Sequence, residues 1–363
     1  MIDFPANPTV GQQFTAAGVT WVWDGVKWSA SGLSIAYVPL AGFVPAMNDN
    51  RLINGDMRVN QRGVSSGTAF GYTLDRWFYN GTQAAKGTWT CATSNVPPIS
   101  YYLFFTSSSA YTPLAGDTFS FLQAIEADMI SDFAWGTANA QPVTLSFLVA
   151  SSLTGTFSGA IGNYANTRSY PFTYSVSTAN TWTKIAVTIP GDTTGTWVMR
   201  GNGGAAMVFF ELGGGATYRA PAGAWANGNF SGANGAVSVV ATNGATFQVT
   251  GVKLEIGSVA TPFSRQSLAK TLADCQRYYC ANIPVHAVST AAGASNYLGA
   301  GGCFPVQMRA TPTVAFQSQI QAPSNVGAAT IDAITTAGFR TYAQSAAAGT
   351  MAFDNNYTAS AEL

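Results

Sequence analysis

The chain has 363 residues, of which 47% are hydrophobic, 13% aromatic and only 9% charged. Sixteen basic side chains balance sixteen acidic ones, which excludes a protein drawn to nucleic acid or to an anionic membrane by long-range charge. The length allows two or three domains with sizeable cores, and 38 glycines together with the aromatic content predict an all-β chain with many turns.

The cysteines predict neither a disulfide framework nor a metal centre. They are Cys91, Cys275, Cys280 and Cys303. His286 is the single histidine, so there is no Cys/His zinc pattern, and we interpret the thiols as buried or idle. We expect no secretory signal and no membrane insertion, because no run reaches the ~18 apolar residues of a membrane helix. A surface of hydroxyls, amides and glycine without an export signal favours a protein assembled inside a cell and released by lysis.

Residues 1–30 predict a compact β unit. The segment VTWVW at 19–23 alternates up to an Asp-Gly turn signal at 24–25, after which the chain returns to Trp28. Three tryptophans in eight residues form either the core of a small unit or a sugar-stacking platform, and the size of the unit favours the core. Residues 31–50 mix small residues, two prolines and scattered apolar side chains, which predicts a linker.

A large β-domain is expected to begin at residue 51 and to run to about residue 266. The triplet NGD at 54–56 predicts a turn. The stretch MRVN at 57–60 alternates apolar and polar residues with the period of a half-buried strand. We therefore predict that the first strand pair of the domain lies here.

Four further stretches of this domain alternate, or run apolar, as sandwich strands do. They are VTLSFLV at 143–149, KIAVTI at 184–189, MVFFEL at 207–212 and the stretch 247–256. Gly251 interrupts the last of these and predicts a bulge or bend. Strands at this spacing predict a two-sheet sandwich. Only over 124–135 does a short helix compete.

One helix is expected, over residues 267–282. Apolar residues recur there at spacings of three and four, and Ser267 is placed to cap the first turn. The helix would join the sandwich to a C-terminal β-domain at 283–363. Within that domain we predict strands at 297–298, 303–306 and 314–316. The Ala-, Thr- and Gly-rich end buries little by itself, which suggests packing between three copies.

Several motifs, standing in one order, resemble those of tailed-bacteriophage tail and collar fibre proteins. The opening FPANPTVGQQFT and GVTWVWDGVKW resemble a Trp-rich attachment module, and LINGD, NQRG and YTLDRW resemble a domain recurrent in such fibres. DFAWGTANAQPVTLSFLVASSLTGT, NTWTKIAVTIPGDTTGTW and VTGVKLEIGSVATPF continue the match over about two thirds of the chain. GCFPVQMRATPTVAF resembles the β-domain that often ends these proteins.

This resemblance implies a domain order and a place of work. The order is a virion-attachment module at 1–30, a linker at 31–50, a jelly roll akin to carbohydrate-binding modules at 51–266, the connecting helix at 267–282 and a C-terminal β-domain at 283–363. The implied location is the virion, after assembly in the host cytoplasm and release by lysis. The implied partners are other virion proteins, through the first module, and two further copies of the chain. The copy number follows from the family, because no heptad run specifies it.

No set of side chains predicts catalysis, and we expect neither enzymatic activity nor a cofactor. His286 has no acidic partner nearby in sequence, and no Gly-rich phosphate loop with its lysine occurs. The carboxylates that invite attention are Glu126, Asp128, Asp132, Glu211 and Glu255. Two carboxylates about 5–10 Å apart would suffice for a glycan depolymerase. Turn caps, salt bridges to arginine or a structural cation are the simpler interpretation.

Binding is better supported than catalysis. Sugars are recognised by aromatic faces, which meet the C–H side of a pyranose, and by amide and carboxylate groups that bind the hydroxyls. The candidates, taken as loop aromatics with polar neighbours, are Tyr164, Tyr170, Tyr218, Trp225 and Asn227. The candidates for virion attachment are Phe4, Trp21, Trp23 and Trp28. We assign Trp77 and Trp135 to the core.

The family resemblance also raises a structural calcium site near the first and last strands. Asp56 fits one half of such a site, whereas Thr250-Gly251 stands where an acidic residue would help. Overall the sequence predicts a phage neck or tail fibre protein that displays a glycan-binding-like domain to host surface polysaccharide. The alternatives are a decoration fibre without a ligand and a tailspike that depolymerises glycan.

Overall fold

The computed structural model describes residues 4–16, 19–30, 50–94 and 99–363, so residues 31–49 of the predicted linker lie outside it. The chain divides into two units, Met1–Asn48 and Asp49–Leu363. The first unit is an antiparallel sheet of β1 (Gln13–Ala16), β2 (Val19–Trp23) and β3 (Trp28–Ala30). The predicted hairpin is confirmed, with Asp24 Oδ1 accepting from the backbone nitrogens of Val26 and Lys27, both at 2.9 Å.

Aromatic rings form the core of the first unit, as its density of tryptophan predicts. The Phe4 ring stacks on Trp28 at a centroid distance of 5.3 Å and meets Trp21 edge-on, also at 5.3 Å. Phe14 lies 5.5 Å from Phe4, and Trp23 lies 5.7 Å from Trp28. Such ring pairs stabilise a unit that is too small for a conventional aliphatic core.

The second unit begins with the strands of a sandwich. They are β4 (Ser66–Gly67), β5 (Gly71–Tyr72), β6 (Phe78–Gly81), β7 (Gly87–Thr93), β8 (Tyr101–Ser107), β9 (Thr118–Glu126), β10 (Val143–Ser151), β11 (Gly155–Asn163), β12 (Arg168–Val176), β13 (Thr183–Ile189), β14 (Gly204–Gly214), β15 (Arg219–Ala220), β16 (Ala226–Asn227), β17 (Gly232–Ala233) and β18 (Thr246–Ile256). Short 3-10 helices cover Ala127–Phe133, Ala216–Tyr218 and Val239–Ala241. The segment where a helix competes is thus helical in part.

Two large sheets face each other in this unit. The six-stranded sheet has the order β13-β10-β18-β8-β7-β4, and the seven-stranded sheet has the order β16-β12-β11-β14-β9-β6-β5. β15 and β17 form a separate parallel pair. The predicted all-β jelly-roll sandwich is confirmed.

Period-two alternation places the core between the sheets. In β10 the residues Val143, Leu145, Phe147 and Val149 are at most 1% exposed. The Phe147 ring meets Phe210 of the opposite sheet edge-on, with centroids 4.9 Å apart. Trp77 and Trp135 are buried in this core as predicted.

Residues 57–60 do not form the predicted strand. Asn54 has a left-handed φ of 57°. Its side chain forms hydrogen bonds with backbone groups that would pair with a neighbouring strand if residues 57–60 were a strand. Its Oδ1 accepts from the nitrogens of Arg58 (3.1 Å) and Val59 (3.0 Å), and its Nδ2 donates to the carbonyls of Val59 (2.9 Å) and Asp75 (3.0 Å). The prediction was wrong because an asparagine amide can replace a strand ladder while alternate residues stay buried.

The predicted helix is present as α1 (Leu268–Gln276), so it ends six residues before the predicted limit of 282. Ser267 caps it, with its hydroxyl accepting from the nitrogen of Lys270 at 3.2 Å, as predicted. Within the described residues, no helix is long and apolar enough to span a membrane.

Two three-stranded sheets follow the helix. Their strands are β19 (Tyr279–Ala291), β20 (Tyr297–Cys303), β21 (Thr313–Ser324), β22 (Thr330–Asp332), β23 (Gly338–Gln344) and β24 (Gly349–Ser360). The sheet orders are β19-β24-β21 and β20-β23-β22. The strand predicted at 303–306 is wrong, because β20 ends at Cys303. Residues 304–306 leave the sheet, and the backbone nitrogen of Phe304 donates a hydrogen bond to the carbonyl of Ala337.

These C-terminal sheets are tied to the sandwich through Arg309. Its Nη1 donates to the carbonyl of Asn202 (2.6 Å), its Nη2 to that of Glu362 (2.8 Å) and its Nε to that of Ala361. The Glu362 carboxylate in turn binds Arg62 at 2.9 Å, and also Arg76. The last residues described therefore lie against the sandwich.

Candidate functional site

A groove of about 710 Å³ lies on the outer face of the six-stranded sheet, the face turned away from the seven-stranded sheet. Its floor is formed by outward residues of β10 and β18, including Ser146, Leu148 and Thr250. Ile99 to Tyr101 form one wall, and Thr261 to Arg265 form the other. The lining combines apolar bodies with hydroxyls and charged groups, which is the mixture that a small-molecule or sugar site needs.

The bulge predicted at Gly251 shapes the groove. The register between β10 and β18 shifts there, and Gly251 has a φ of 61°, which favours glycine. The shift leaves the Val252 nitrogen free of the ladder, and it donates instead to the carbonyl of Gly55 at 2.9 Å. A Cβ atom at Gly55 would lie 2.1 Å from the Val252 carbonyl oxygen, so only glycine permits this approach. The turn that follows carries Asp56 to the rim of the groove.

Glu255 anchors the second wall to β18. Its carboxylate accepts from the Thr261 backbone nitrogen at 2.8 Å and from the Thr261 hydroxyl at 2.6 Å. Lys253, whose side chain is 1% exposed, pairs with the same carboxylate at 2.9 Å. Burial alone would raise the pKa of Glu255, but the hydrogen bonds from Thr261 and Lys253 outweigh it and hold the pKa below its usual value. The wall is thus fixed by an ion pair that is neutral as a whole.

An aromatic strip accompanies the groove on the same outer face. It consists of Tyr102, Phe104 and Trp182. The Tyr102 ring meets Trp182 edge-on at 5.5 Å and Phe104 edge-on at 6.2 Å. All three side chains are half-buried, and Leu103 and Phe105, which alternate with Tyr102 and Phe104 along β8, point into the core. Trp182 also stands two residues before Lys184, so the strip and the groove share one end of β13.

The groove carries an excess of positive charge. Its charged lining residues are Lys184, Arg265 and Asp56. Asp56 Oδ2 lies 3.1 Å from Arg265 Nε and 3.2 Å from Arg58 Nε, so one carboxylate serves two guanidinium groups. Lys184 is exposed and makes no ion pair with a carboxylate in the part of the chain that the structure describes.

Three of the predicted sugar-binding residues meet at the end of β12. The Tyr170 ring lies 5.4 Å from Trp225, and Arg168 Nη1 donates to Asn227 Oδ1 at 2.9 Å. Tyr170 is nevertheless a strand residue that is 6% exposed, so its predicted place in a loop is wrong. Residues 169–176 of this strand pair with β11, and period two turns Tyr170 inward.

Trp225 is half-buried in a cluster of tryptophans. Its ring lies 5.2 Å from Trp135 and 5.5 Å from Trp197, and its Nε1 donates to the Pro190 carbonyl at 2.7 Å. Beside the cluster, Asp192 accepts from Arg168 and from Trp197 Nε1. Burial would raise the pKa of Asp192, but these hydrogen bonds outweigh it and lower the pKa. The cluster is closed by its own hydrogen bonds.

The other two candidates lie apart from that cluster. Tyr164 is 39% exposed in the turn between β11 and β12, and its ring rests on Gly204, where a Cβ would meet it at 2.5 Å. It borders a smaller groove of about 280 Å³ on the outer face of the seven-stranded sheet, together with Phe78, Leu122 and Met207. Tyr218 lies in a 3-10 helix and binds the Ser231 nitrogen through its carbonyl at 3.0 Å.

The carboxylates singled out in the sequence all have protein partners, which confirms their interpretation as caps and salt bridges. The pairs are Glu126 with Arg277 (2.9 Å), Asp128 with the Gly201 nitrogen (2.6 Å), Asp132 with Arg51 (2.6 Å), Glu211 with Arg219 (2.6 Å) and Glu255 with Lys253 (2.9 Å). Burial raises the pKa of Glu211.

The described residues do not fit the calcium ion that the resemblance raises. Among them, no three His, Cys, Asp or Glu side chains gather as a metal site. Asp56 faces two guanidinium groups, so a cation placed there would meet like charge.

Sequence reasoning missed the groove and the strip. Tyr102 and Trp182 are 80 positions apart in the chain, and only the order of four strands brings them together. A signal was nevertheless present. Trp182 precedes a strand whose outward positions include Lys184, and Tyr101-Tyr102 begins another strand, so both place aromatics at the start of a strand.

Comparisons with known proteins give similarity at the level of fold. No protein-family model and no curated protein matches the chain. Among solved structures, the chain is similar to the enzymatically active domain of tailspike protein 4 of bacteriophage CBA120, with 13% identity and a TM-score of 0.32, over 58% of this chain and 22% of that one.

Two further solved structures are covered almost completely by the chain. One is a putative sugar binding protein of Bacteroides thetaiotaomicron, with 12% identity and a TM-score of 0.37, over 57% of this chain and 100% of that one. The other is the CBM22-1 xylan-binding domain of Paenibacillus barcinonensis Xyn10C, with 8% identity and a TM-score of 0.28, over 54% and 95%.

Proposed function

We propose that this chain is a bacteriophage virion protein, of the tail or collar fibre kind, whose sandwich binds host surface glycan on the outer face of its six-stranded sheet. One observation carries the binding part: the aromatic strip of Tyr102, Phe104 and Trp182 lies beside a groove lined with hydroxyls and charged groups. Aromatic faces bind the C–H side of a pyranose, and the groove groups meet its hydroxyls.

Trp182 and Tyr102 are the side chains on which this proposal is tested. We expect the full chain to bind at least one host surface polysaccharide on a glycan array and in calorimetry. Trp182→Ala and Tyr102→Ala should each weaken that binding by about tenfold or more, because truncation of an aromatic anchor costs roughly 2 kcal/mol. Tyr297→Ala is the matched control, since Tyr297 is 67% exposed and lies in β20.

Binding that survives both anchor substitutions but is lost in Tyr164→Ala would move the site to the smaller groove. A chain that neither whole host cells nor their extracted polysaccharide retain would favour the decoration fibre without a ligand. All variants are first compared with the parent by far-UV circular dichroism and thermal unfolding, so that loss of binding is separated from loss of fold.

We propose binding without turnover. The carboxylates discussed above are engaged with arginine, lysine or backbone groups, which favours a structural role for them over the role of acid and base. Incubation with the bound polysaccharide should release no new reducing ends. Release that is abolished by Glu126→Gln or Asp132→Asn would instead establish a depolymerase.

The virion location rests on the ordered sequence resemblance. In this proposal residues 1–30 attach to another virion protein, with Phe4, Trp21, Trp23 and Trp28 holding the module in shape. Antibodies against the chain should label purified particles at the neck or tail. A chain that is made during infection but is missing from purified particles would exclude this location.

Self-association as a homotrimer is the last part of the proposal. All ten β21 residues from position 315 onward are exposed. Among them, Phe316 and Ile320 have 56% and 47% of their surface accessible. The strand pairs only with β24, so one edge remains open among the described residues. Sedimentation should give the mass of three chains, and Ile320→Lys should shift it toward one. A monomer at all concentrations would contradict this part.

A further inference from the structure

We infer that the groove on the six-stranded sheet selects acidic glycans, those that carry a carboxylate such as a uronic acid. This inference rests on the proposed function and goes beyond it by naming the ligand class. It depends on the charge of the groove rather than on the aromatic strip, since aromatic faces accept neutral and acidic sugars alike.

The groove is positive although the chain as a whole is neutral. The lining contains two positive side chains, Lys184 and Arg265, and one negative side chain, Asp56, so it has an excess of one positive charge. Arg58 shares the same Asp56 carboxylate, which raises the local excess to two. In a protein with only 9% charged residues, such an excess is not averaged away by neighbouring acidic groups.

The remaining charges of this face cancel each other. Lys253 and Glu255 form a closed pair at 2.9 Å, and both side chains are nearly inaccessible. They fix the wall through Thr261 and offer no charge to a ligand. The cation that a ligand can reach is therefore Lys184, with the 47% exposed side chain of Arg265 as the second.

The position of Lys184 in the sheet favours it as the residue that binds the carboxylate of the sugar. Lys184 lies directly opposite Leu148 in the pairing of β10 with β13, and Leu148 in turn lies opposite Thr250. A sugar ring on Leu148 would thus have an ammonium group on one side and a hydroxyl on the other. Because Trp182 directly precedes β13 and its ring contacts Tyr102 of the strip, the next sugar of the chain would reach the aromatic strip.

The test compares sugars that differ only in charge. The probes are polygalacturonate, alginate and hyaluronan, each beside its methyl-esterified form, with dextran, xylan and galactan as neutral polymers. We expect at least one free acid to bind the full chain at least about tenfold more tightly than its ester, with an advantage that falls as salt is raised.

Substitutions of Lys184 test whether this residue is responsible for the preference for acidic sugars. Lys184→Gln should remove most of the preference for the acid, while Lys184→Arg should keep it. The matched control is Lys270→Gln, which also removes one positive charge but lies on α1 in a pair with Asp274. An equal effect of Lys184→Gln and Lys270→Gln would mean that general charge, not the groove, is responsible, and would overturn the assignment.

The outcomes separate this inference from the proposed function. Binding of neutral polymers or esters as tight as that of the acids overturns the inference and leaves glycan binding intact. No binding to any acidic or neutral polymer, nor to host polysaccharide, overturns the proposed function as well.

Discussion

The Asn54 side chain makes hydrogen bonds with backbone groups of three other residues, Arg58, Val59 and Asp75. We expect Asn54→Ala to lower the free energy of unfolding by roughly 3–5 kcal/mol, because buried amides and carbonyls lose their partners and alanine disfavours the left-handed φ. Urea unfolding measures this loss.

Asn166 supplies the control for that prediction. It has nearly the same φ, 59°, but it is exposed in the turn before β12. Asn166→Ala should therefore cost only about 1 kcal/mol, which is the backbone part alone. Equal losses in the two variants would show that the hydrogen bonds of Asn54 contribute nothing.

We expect the four cysteines to differ in reactivity because they differ in burial. None forms a disulfide, Cys303 is exposed, Cys275 and Cys280 are buried and Cys91 is half-buried. Burial raises the pKa of Cys91 and of Cys280 to about 12, and that of Cys275 well above its usual value. Since the thiolate is the nucleophile, a thiol reagent should label one cysteine of the native protein rapidly and the other three only after unfolding. Cys303→Ser should abolish the rapid phase, and a second rapid thiol would contradict the assignment.

At the scale of elements, Asp117 fastens the connection between β8 and β9. Its carboxylate accepts from the hydroxyl of Tyr111, from the Leu114 nitrogen at 2.9 Å and from the Thr82 hydroxyl at 2.8 Å. The Tyr111 hydrogen bond is the main reason that the pKa of Asp117 falls to about 2.

This depressed pKa gives stability a defined dependence on pH. The contribution of Asp117 is fully present above its unfolded pKa of about 3.9, and it is lost as pH falls from there to about 2. The difference in unfolding free energy between the parent and Asp117→Asn should therefore shrink over that window. Tyr111→Phe should weaken the pH dependence in part. A difference that stays constant with pH would contradict the assignment.

Elements with strong local patterns could be predicted, whereas those set by distant partners could not. Val143 to Val149 alternate within one strand, Gly251 marks its own bulge, and Ser267 caps the helix that follows it, so each signal lies where its structure lies. The turn at Asn54 was predicted, but the strand predicted at residues 57–60 was wrong, because the Asn54 side chain bonds to this stretch and also reaches Asp75, which is distant in sequence. The site was missed because Tyr102 and Trp182 meet only through the sheet order.

At the scale of the whole molecule, Arg309 joins the C-terminal sheets to the sandwich. Arg309→Ala should destabilise that union by about 2 kcal/mol, because three carbonyls lose a charged donor. All nine tryptophans precede residue 226, so their fluorescence is blind to the C-terminal strands, which circular dichroism does see. In this variant we expect the circular dichroism change to come at lower urea than the fluorescence change.

Arg340→Ala is the matched control for that experiment. Arg340 pairs with Asp332 within the C-terminal sheets, and its side chain is 60% exposed. It should cost less than about 1 kcal/mol and leave the two unfolding curves coincident. Curves that coincide in Arg309→Ala as well would mean that other contacts hold the two parts together.

Gly251, the extra residue at the bulge in β18, makes that strand tolerant of one deletion. Val249 points inward, Thr250 outward, Val252 inward and Lys253 outward, so Gly251 stands outside the alternation. Removing Gly251 would leave every neighbouring side chain on its present side, whereas removing Leu254 would turn Glu255 into the core. A chain shortened at Gly251 should consequently fold, yet lose the close contact of Gly55 with Val252 and, with it, the shape of the groove on the six-stranded sheet.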